Sequence, residues 1–350
     1  MNRPGRRYSR IIPRSWTEGD GVRHGHHSPA PITPTLALPP QGGGNRWCCL
    51  GAFIISLVVA LTLFAKGNPA AAQIQDDRGA TITLAGPPQR LISLYGGLTE
   101  IIQALGLGPR LVARILGDEG VQEVPIVGTH LQPNVEMILA LKPDLVVQGG
   151  VPKGMAALKK LEAEKVPVAM FAPRDFPGLL SVITRLGALT GRQEAADSLN
   201  AVIKAGLGEV ERRVAGRKPV RVFYEVRCQN LLAAGRGSIV NDIITRAGGS
   251  NIVDSPQRLA PYSLEALIKA DPDVYIIQQG PMNRSPEDIY TRPYFQELRA
   301  VKARRVLVVD ESLFSRPGPR SAEAVEQLAR FLHPGAWEKE SQTDSPKGKK

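Results

Sequence analysis

Cysteine, histidine and tryptophan are scarce in this chain of 350 residues, and each shortage closes off a class of function. Of the three cysteines, Cys48 and Cys49 sit in an uncharged N-terminal run, so Cys228 stands alone in the body. One thiol makes neither an intrachain disulfide nor a cysteine-based zinc site. Its expected role is a small buried hydrophobe at a strand end. Apart from His24, His26 and His27 near the N-terminus, only His130 and His333 remain, too few for a two- or three-histidine metal centre in the body. Enzyme signatures are missing as well: no phosphate-binding Walker loop, no Gly-x-Gly-x-x-Gly after a strand and no Gly-x-Ser-x-Gly elbow. His130 with a carboxylate has proton-transfer chemistry, but nothing nominates a nucleophile, so no catalysis and no cofactor are expected. A basic stripe is lacking too. The net charge of +11 divides into eight Lys/Arg against two Asp/Glu over residues 1–72 and 36 against 31 over the rest. The body is close to neutral, and nucleic acid is excluded as a partner.

What the chain does have is a repeated unit. Asn134-Val135-Glu136 opens a stretch in which Pro143-Asp144 follows the glutamate by seven and eight residues, and Leu145-Val146-Val147-Gln148 closes it. Ser263-Leu264-Glu265, Pro272-Asp273 and Val274-Tyr275-Ile276-Ile277-Gln278 repeat the pattern 129 residues later. Each copy reads as a cap, a short amphipathic helix, a turn and a buried strand, and a unit met twice at this distance predicts two similar lobes. Around the copies, strands alternate with helices, the mark of a mainly parallel α/β sheet. Between them, Ala195, Leu199, Val202, Ile203, Leu207, Val210 and Val214 form a helical apolar stripe over Arg192–Val214. The expected architecture is α/β, with two α/β lobes of mainly parallel sheets joined by a single long connector helix.

The expected boundaries follow from composition. Residues 1–46, rich in Arg, Pro, Gly and His, read as a disordered extension. Residues 47–72 read as a signal peptide or membrane anchor: nineteen uncharged residues from Trp47 to Ala65, then Ala70 and Ala72 where a signal peptidase reads small side chains. Cleavage after Ala72 is the preferred reading, and either outcome places the body outside the cytoplasmic membrane. The N-terminal lobe is expected at 77–191, the connector at 192–216, the C-terminal lobe at 217–334 and a polar tail at 335–350.

Gln89-Arg90-Leu91-Ile92-Ser93-Leu94, Leu98-Thr99-Glu100-Ile101-Ile102, the Asn134–Leu145 unit, Gly235–Gly249, Ser263–Val274 and Arg316-Pro317-Gly318-Pro319-Arg320 together resemble the ABC-transporter substrate-binding proteins for iron–siderophore complexes and vitamin B12. The likeness covers roughly 77–334. It implies a cleft that binds ligand with little hinge motion, delivery to ABC permease subunits with a cytoplasmic ATPase, and a monomer that captures a metal chelate (ferric siderophore or haem) or a corrinoid. It also implies that Glu136 and Glu265, one on each lobe, meet permease arginines; a glutamate in a first helical turn also complements the helix dipole without any partner. In open α/β sheets the ligand lies beyond the carboxyl ends of the strands. That rule nominates Tyr95, His130, Arg227, Gln229, Gln279 and Arg316. Tyr95 or His130 suits iron or a flat ligand, and Arg227 and Arg316 suit carboxylates of an anionic chelate. The shortage of aromatics, 5% overall, argues against an aromatic-lined cobalamin cleft. Two other readings stay open. A metal-cofactor enzyme on a similar scaffold needs more Cys and His than this body supplies, and an extracytoplasmic ligand sensor needs a retained anchor and an output domain.

Overall fold

The computed structural model describes residues 72–118, 120–121, 123–150 and 155–337. The expected extension, the apolar segment before Ala72 and the residues after Trp337 lie outside these. The body starts earlier than Asp77, where the sequence placed it. Strand β1 (Ala72–Gln75) pairs antiparallel with β2 (Thr81–Leu84). The buried carboxylate of Asp76 accepts hydrogen bonds from the backbone N–H groups of Arg78, Ala80 and Met170 at 2.9, 3.1 and 3.0 Å, which ties this hairpin to the first lobe.

The first sheet runs in the order β4–β3–β5–β6, with β3 Leu91–Ser93, β4 Leu111–Ala113, β5 Leu145–Gly149 and β6 Val168–Phe171, all parallel. The second is built on β7 (Val220–Arg227), β11 (Val274–Gln279) and β12 (Val306–Asp310), also parallel. Strand β9 (Gly249–Asn251) joins β7 in parallel, while β8 (Leu232–Ala234) and β10 (Leu259–Pro261) add an antiparallel edge. Gly-Ser-Asn and Leu-Ala-Pro carry no strand pattern of their own; pairing with a neighbour makes them strands.

Both copies of the repeat fold alike, and their residues show why. Asn134 and Ser263 cap helices Val135–Ala140 and Leu264–Ala270, their side chains accepting from Met137 N–H and Ala266 N–H at 3.0 Å each. Lys142 and Asp271, each just before a proline that cannot continue a helix, turn left-handed at φ 46° and 39°. Asp144 then accepts from Arg90 N–H at 2.9 Å, and Asp273 from Arg221 N–H at 3.1 Å, registering each strand on its neighbour. The two arginine side chains return to the helix ends, on the carbonyls of Leu141 and Asp271. Cap, turn and strand start are thus written into one short stretch, twice.

Helix Gln193–Val214 buries Ala196, Leu199, Ile203, Leu207, Val210 and Val214 and packs against helices Phe176–Thr190 and Ser321–Leu332, one from each lobe. One buried apolar cluster therefore runs from the first sheet through this helix into the second, with a smaller cluster on the outer side of each lobe. The lobes share this core. At the far end a turn at Pro334–Ala336 lays Trp337 against Arg213 and Arg330, with guanidinium carbons 5.5 and 4.9 Å from its ring, so packed chain extends through Trp337 and not only to residue 334.

One buried ion pair organises the second lobe. Glu225 on β7 is fully buried and accepts from both terminal guanidinium nitrogens of Arg292, itself 5% exposed, while the Tyr275 hydroxyl donates to it at 2.6 Å. Arg292→Leu strands that carboxylate without its cation, and the expected loss is about 3–5 kcal/mol in urea unfolding. Replacing Glu225 with Leu in the same chain is expected to restore most of it, since an apolar pair of similar volume leaves no charge unpaired.

Candidate functional site

The carboxyl ends of the two sheets face each other, and the residues beyond them form a seam and a cleft. Tyr95 follows β3 and is the N-cap of helix Gly96–Ala104. Gly96 and Gly97 lie in the first turn of that helix. Their small size serves the seam. A Cβ on Gly97 would sit 2.1 Å from the carbonyl oxygen of Pro317, in the Arg316–Arg320 segment of the other lobe. Beside this close approach Glu100 and Arg320 pair across the seam at 2.6 Å.

Tyr95 and His130, both half-buried, meet edge to face with ring centroids 6.2 Å apart. Gly149, the last residue of β5, makes room for the phenol: a Cβ there would lie 2.4 Å from Tyr95 Cγ. Across the cleft stand Arg258 and Arg316, whose guanidinium charges both act on the Tyr95 hydroxyl. Burial pushes the Tyr95 phenol above its ordinary pKa, the two guanidiniums pull against that rise, and Glu311 adds to it. His130 is pushed the other way, below the ordinary imidazole range, first by desolvation and then by the charges of Arg316 and Arg258. It is therefore neutral at pH 7, with a ring nitrogen free to accept a proton or a metal.

Arg316 has a second neighbour in Asp118, whose carboxyl is raised by burial and whose Oδ2 accepts from Thr99 Oγ1 at 2.6 Å. It also lines one end of a cavity of about 1200 Å³ that runs between the lobes along helix Gly96–Ala104, past Glu100, Glu311 and Arg320. Tyr95 and His130 are not in that lining, so this cavity and the phenol–imidazole pair adjoin at Arg316 without coinciding. The phenol, the imidazole and the two guanidiniums make up the candidate site.

Of the six positions nominated from sequence, the structure brings Tyr95, His130 and Arg316 together. Arg227 turns its Nε to Asn230 Oδ1 at 2.9 Å, within its own loop. Gln229 is exposed in the turn after β7, and Gln279 is exposed at the end of β11. Among the described residues no hydrogen bond or ring contact joins these three to Tyr95, His130 or Arg316. Arg258, between β9 and β10, escaped the sequence reading, and no motif around it would have found it. Glu136 and Glu265 are exposed in the first turns of matching helices, one on each lobe. No group of three or more His, Cys, Asp or Glu side chains suited to hold a metal ion occurs among the described residues, and none of their helices is long and apolar enough to cross a membrane.

The chain has relatives among known proteins. The family described as "Periplasmic binding protein" matches residues 91–313. An ABC transporter substrate-binding lipoprotein of Bacillus subtilis, YvrC, is 27% identical over 311 residues, covering 82% of this chain and 98% of its own length. The vitamin B12-binding protein of Vibrio cholerae is 27% identical over 253 residues, 70% of this chain and 90% of that one. Among solved structures, the periplasmic heme-binding protein RhuT from Roseiflexus sp. RS-1 superposes with a TM-score of 0.62 at 26% identity, covering 71% of this chain and 99% of RhuT.

Proposed function

Because the chain belongs to the periplasmic binding protein family and is a solute-binding receptor for an ABC importer, we propose that its cargo is a planar anionic metal chelate, haem in the first instance. The observation that supports this most is a phenol and a neutral imidazole on one lobe set against two guanidiniums on the other. Phenolate and imidazole are both axial ligands of haem iron in proteins, and guanidinium forks match carboxylates. Tyr95 meets the iron in this reading. Arg258 stabilises the phenolate that forms when the metal displaces its proton, and Arg316 pairs with a propionate. RhuT, of the same fold, is named a heme-binding protein. A corrinoid or a ferric siderophore is the alternative cargo, and the body's lack of tryptophan before Trp337 weighs against an aromatic-walled corrinoid cleft.

The remainder of the reading concerns partners and place. Relatives in the family are binding proteins working outside the cytoplasm, as the lipoprotein and periplasmic designations say. We extend this to a monomer that catalyses nothing, carries no cofactor of its own and docks on permease subunits through Glu136 and Glu265. Cleavage after Ala72 is part of the same proposal, and it leaves Gln73–Gln75 to pair with β2.

Titrating purified protein with hemin is the direct test. The wild type is expected to shift the Soret band and show the charge-transfer bands of a phenolate–iron complex, while Tyr95→Phe loses those bands and about 100-fold in affinity, roughly 2.7 kcal/mol. A wild type that ignores hemin yet binds cobalamin or a ferric hydroxamate overturns the choice of cargo. An unchanged spectrum in Tyr95→Phe overturns the role of Tyr95.

A further inference from the structure

Two buried side chains with a hydrogen-bonding atom left over stand at the carboxyl ends of the central strands. Gln148 on β5 and Gln278 on β11 are both fully buried. The Gln148 Nε2 donates to the carbonyl of His130 at 2.9 Å, while its Oε1 has no partner. The Gln278 Oε1 accepts from the Tyr224 hydroxyl at 3.2 Å and from the Ser315 hydroxyl, while its Nε2 has no partner. A half-satisfied amide in a core is less favourable than an apolar side chain of the same shape. Stability alone therefore does not account for glutamine at either place.

What each amide holds is informative. His130 and Arg316 are carried by loops without regular structure of their own, and the first is gripped at its own carbonyl, the second through the residue before it. From this geometry we infer that Gln148 and Gln278 are positioning residues that set the cleft loops, Gln148 the loop of His130 and Gln278 the segment of Arg316. The inference rests on the reading of Tyr95, His130 and Arg316 as the cargo site. It gives the repeat a second purpose: one end of each copy carries an exposed glutamate and the other a buried amide behind the cleft. The two amides do not occupy equivalent positions. The second strand is one residue longer before its glutamine, so Gln148 lies on the face of Val146 and Gln278 on the face of Val274 and Ile276. Each therefore reaches a different loop, and the shared outcome is a held cleft residue in each lobe. Reversing the Gln278 amide leaves its tether intact, since both hydroxyls donate as well as accept.

Gln148→Met and Gln278→Met keep the volume and remove the amide. Hydrogen exchange read by mass spectrometry on ligand-free protein separates positioning from general stability. Gln148→Met is expected to speed exchange about tenfold in residues 128–134 and leave 314–320 unchanged; Gln278→Met does the reverse; both keep the melting temperature of the wild type or raise it. Asn200→Leu is the control. It removes another buried amide, one that holds helix Phe176–Thr190 through Leu180 and Thr184 and also has an unpartnered oxygen, and it should alter neither loop. Hemin affinity is expected to fall about tenfold in each Met variant and about a hundredfold in the double variant. Unchanged exchange in the loop that each amide holds overturns the inference, as does equal loosening of both loops with a lowered melting temperature. Should a Met variant fail to fold, the Asn variant, one methylene too short to reach, carries the same comparison. A wild type that binds no hemin removes the cargo reading only, because the exchange measurement uses no ligand.

Discussion

A chain carrying Glu136→Lys and Glu265→Lys is expected to bind its cargo as tightly as the wild type and to deliver none of it. Both glutamates are exposed, both lie two residues after the side chain that caps their helix, and they sit on opposite sides of the long helix that separates the lobes in the chain. Neither touches Tyr95, His130, Arg258 or Arg316, so the charge change leaves the cleft alone. The cost to folding is small. Each reversal loses a favourable interaction with the positive end of a helix, about 0.3–1 kcal/mol, and the capping bonds from Asn134 and Ser263 remain. Under the proposed docking role the effect is larger, because a lysine brought against a permease arginine would replace attraction with like-charge repulsion. Uptake into vesicles holding the cognate permease and ATPase, measured beside calorimetric affinity for the cargo, separates the two effects. Transport at wild-type rate by the doubly reversed chain would sink the docking role and leave the helix dipole as the reason for both residues.

Gly97→Ala should lower both stability and cargo affinity, against the usual direction of such a change. In a helix, alanine is normally favoured over glycine by roughly 0.5–1 kcal/mol. Here the added methyl meets the Pro317 carbonyl oxygen at 2.1 Å and its carbon at 2.9 Å. Backbone atoms cannot rotate out of the way as a side chain would, so the seam itself must open. Overpacking of this kind costs about 1–3 kcal/mol. It also moves Arg316, the residue before Pro317, away from Tyr95, and it lengthens the Glu100–Arg320 pair from 2.6 Å. Urea unfolding and hemin titration are expected to fall together, the second by about tenfold or more. A variant as stable as the wild type with full affinity would show that the seam has slack and that the close approach plays no part in placing Arg316.

Much of the fold was legible because its cues are local. Capping side chains at Asn134 and Ser263, the Pro-Asp turns and the 3.6-residue stripe of helix Gln193–Val214 each act within a few residues, so pattern alone finds them. Strands β9 and β10 were missed because Gly-Ser-Asn and Leu-Ala-Pro become strands only through partners distant in the chain. The site divides the same way. Tyr95 and His130 could be nominated because they follow or precede recognisable elements at the carboxyl end of the first sheet. Arg227 satisfied the same rule, yet it turns to Asn230 in its own loop. Arg258 satisfied no rule and stands beside the phenol.

The sequence by itself determined a two-lobed α/β fold, the helix between its lobes and the glutamate in the first turn of each repeat, since backbone hydrogen bonds, caps and apolar periods are short-range physics. Only the tertiary structure decided which polar side chains share the cleft, why Gly97 and Gly149 carry no side chain, and what the glutamines that end the two repeats hold. Those outcomes depend on where loops far apart in the chain meet across a shared core, and a loop residue has no period from which its partner can be read.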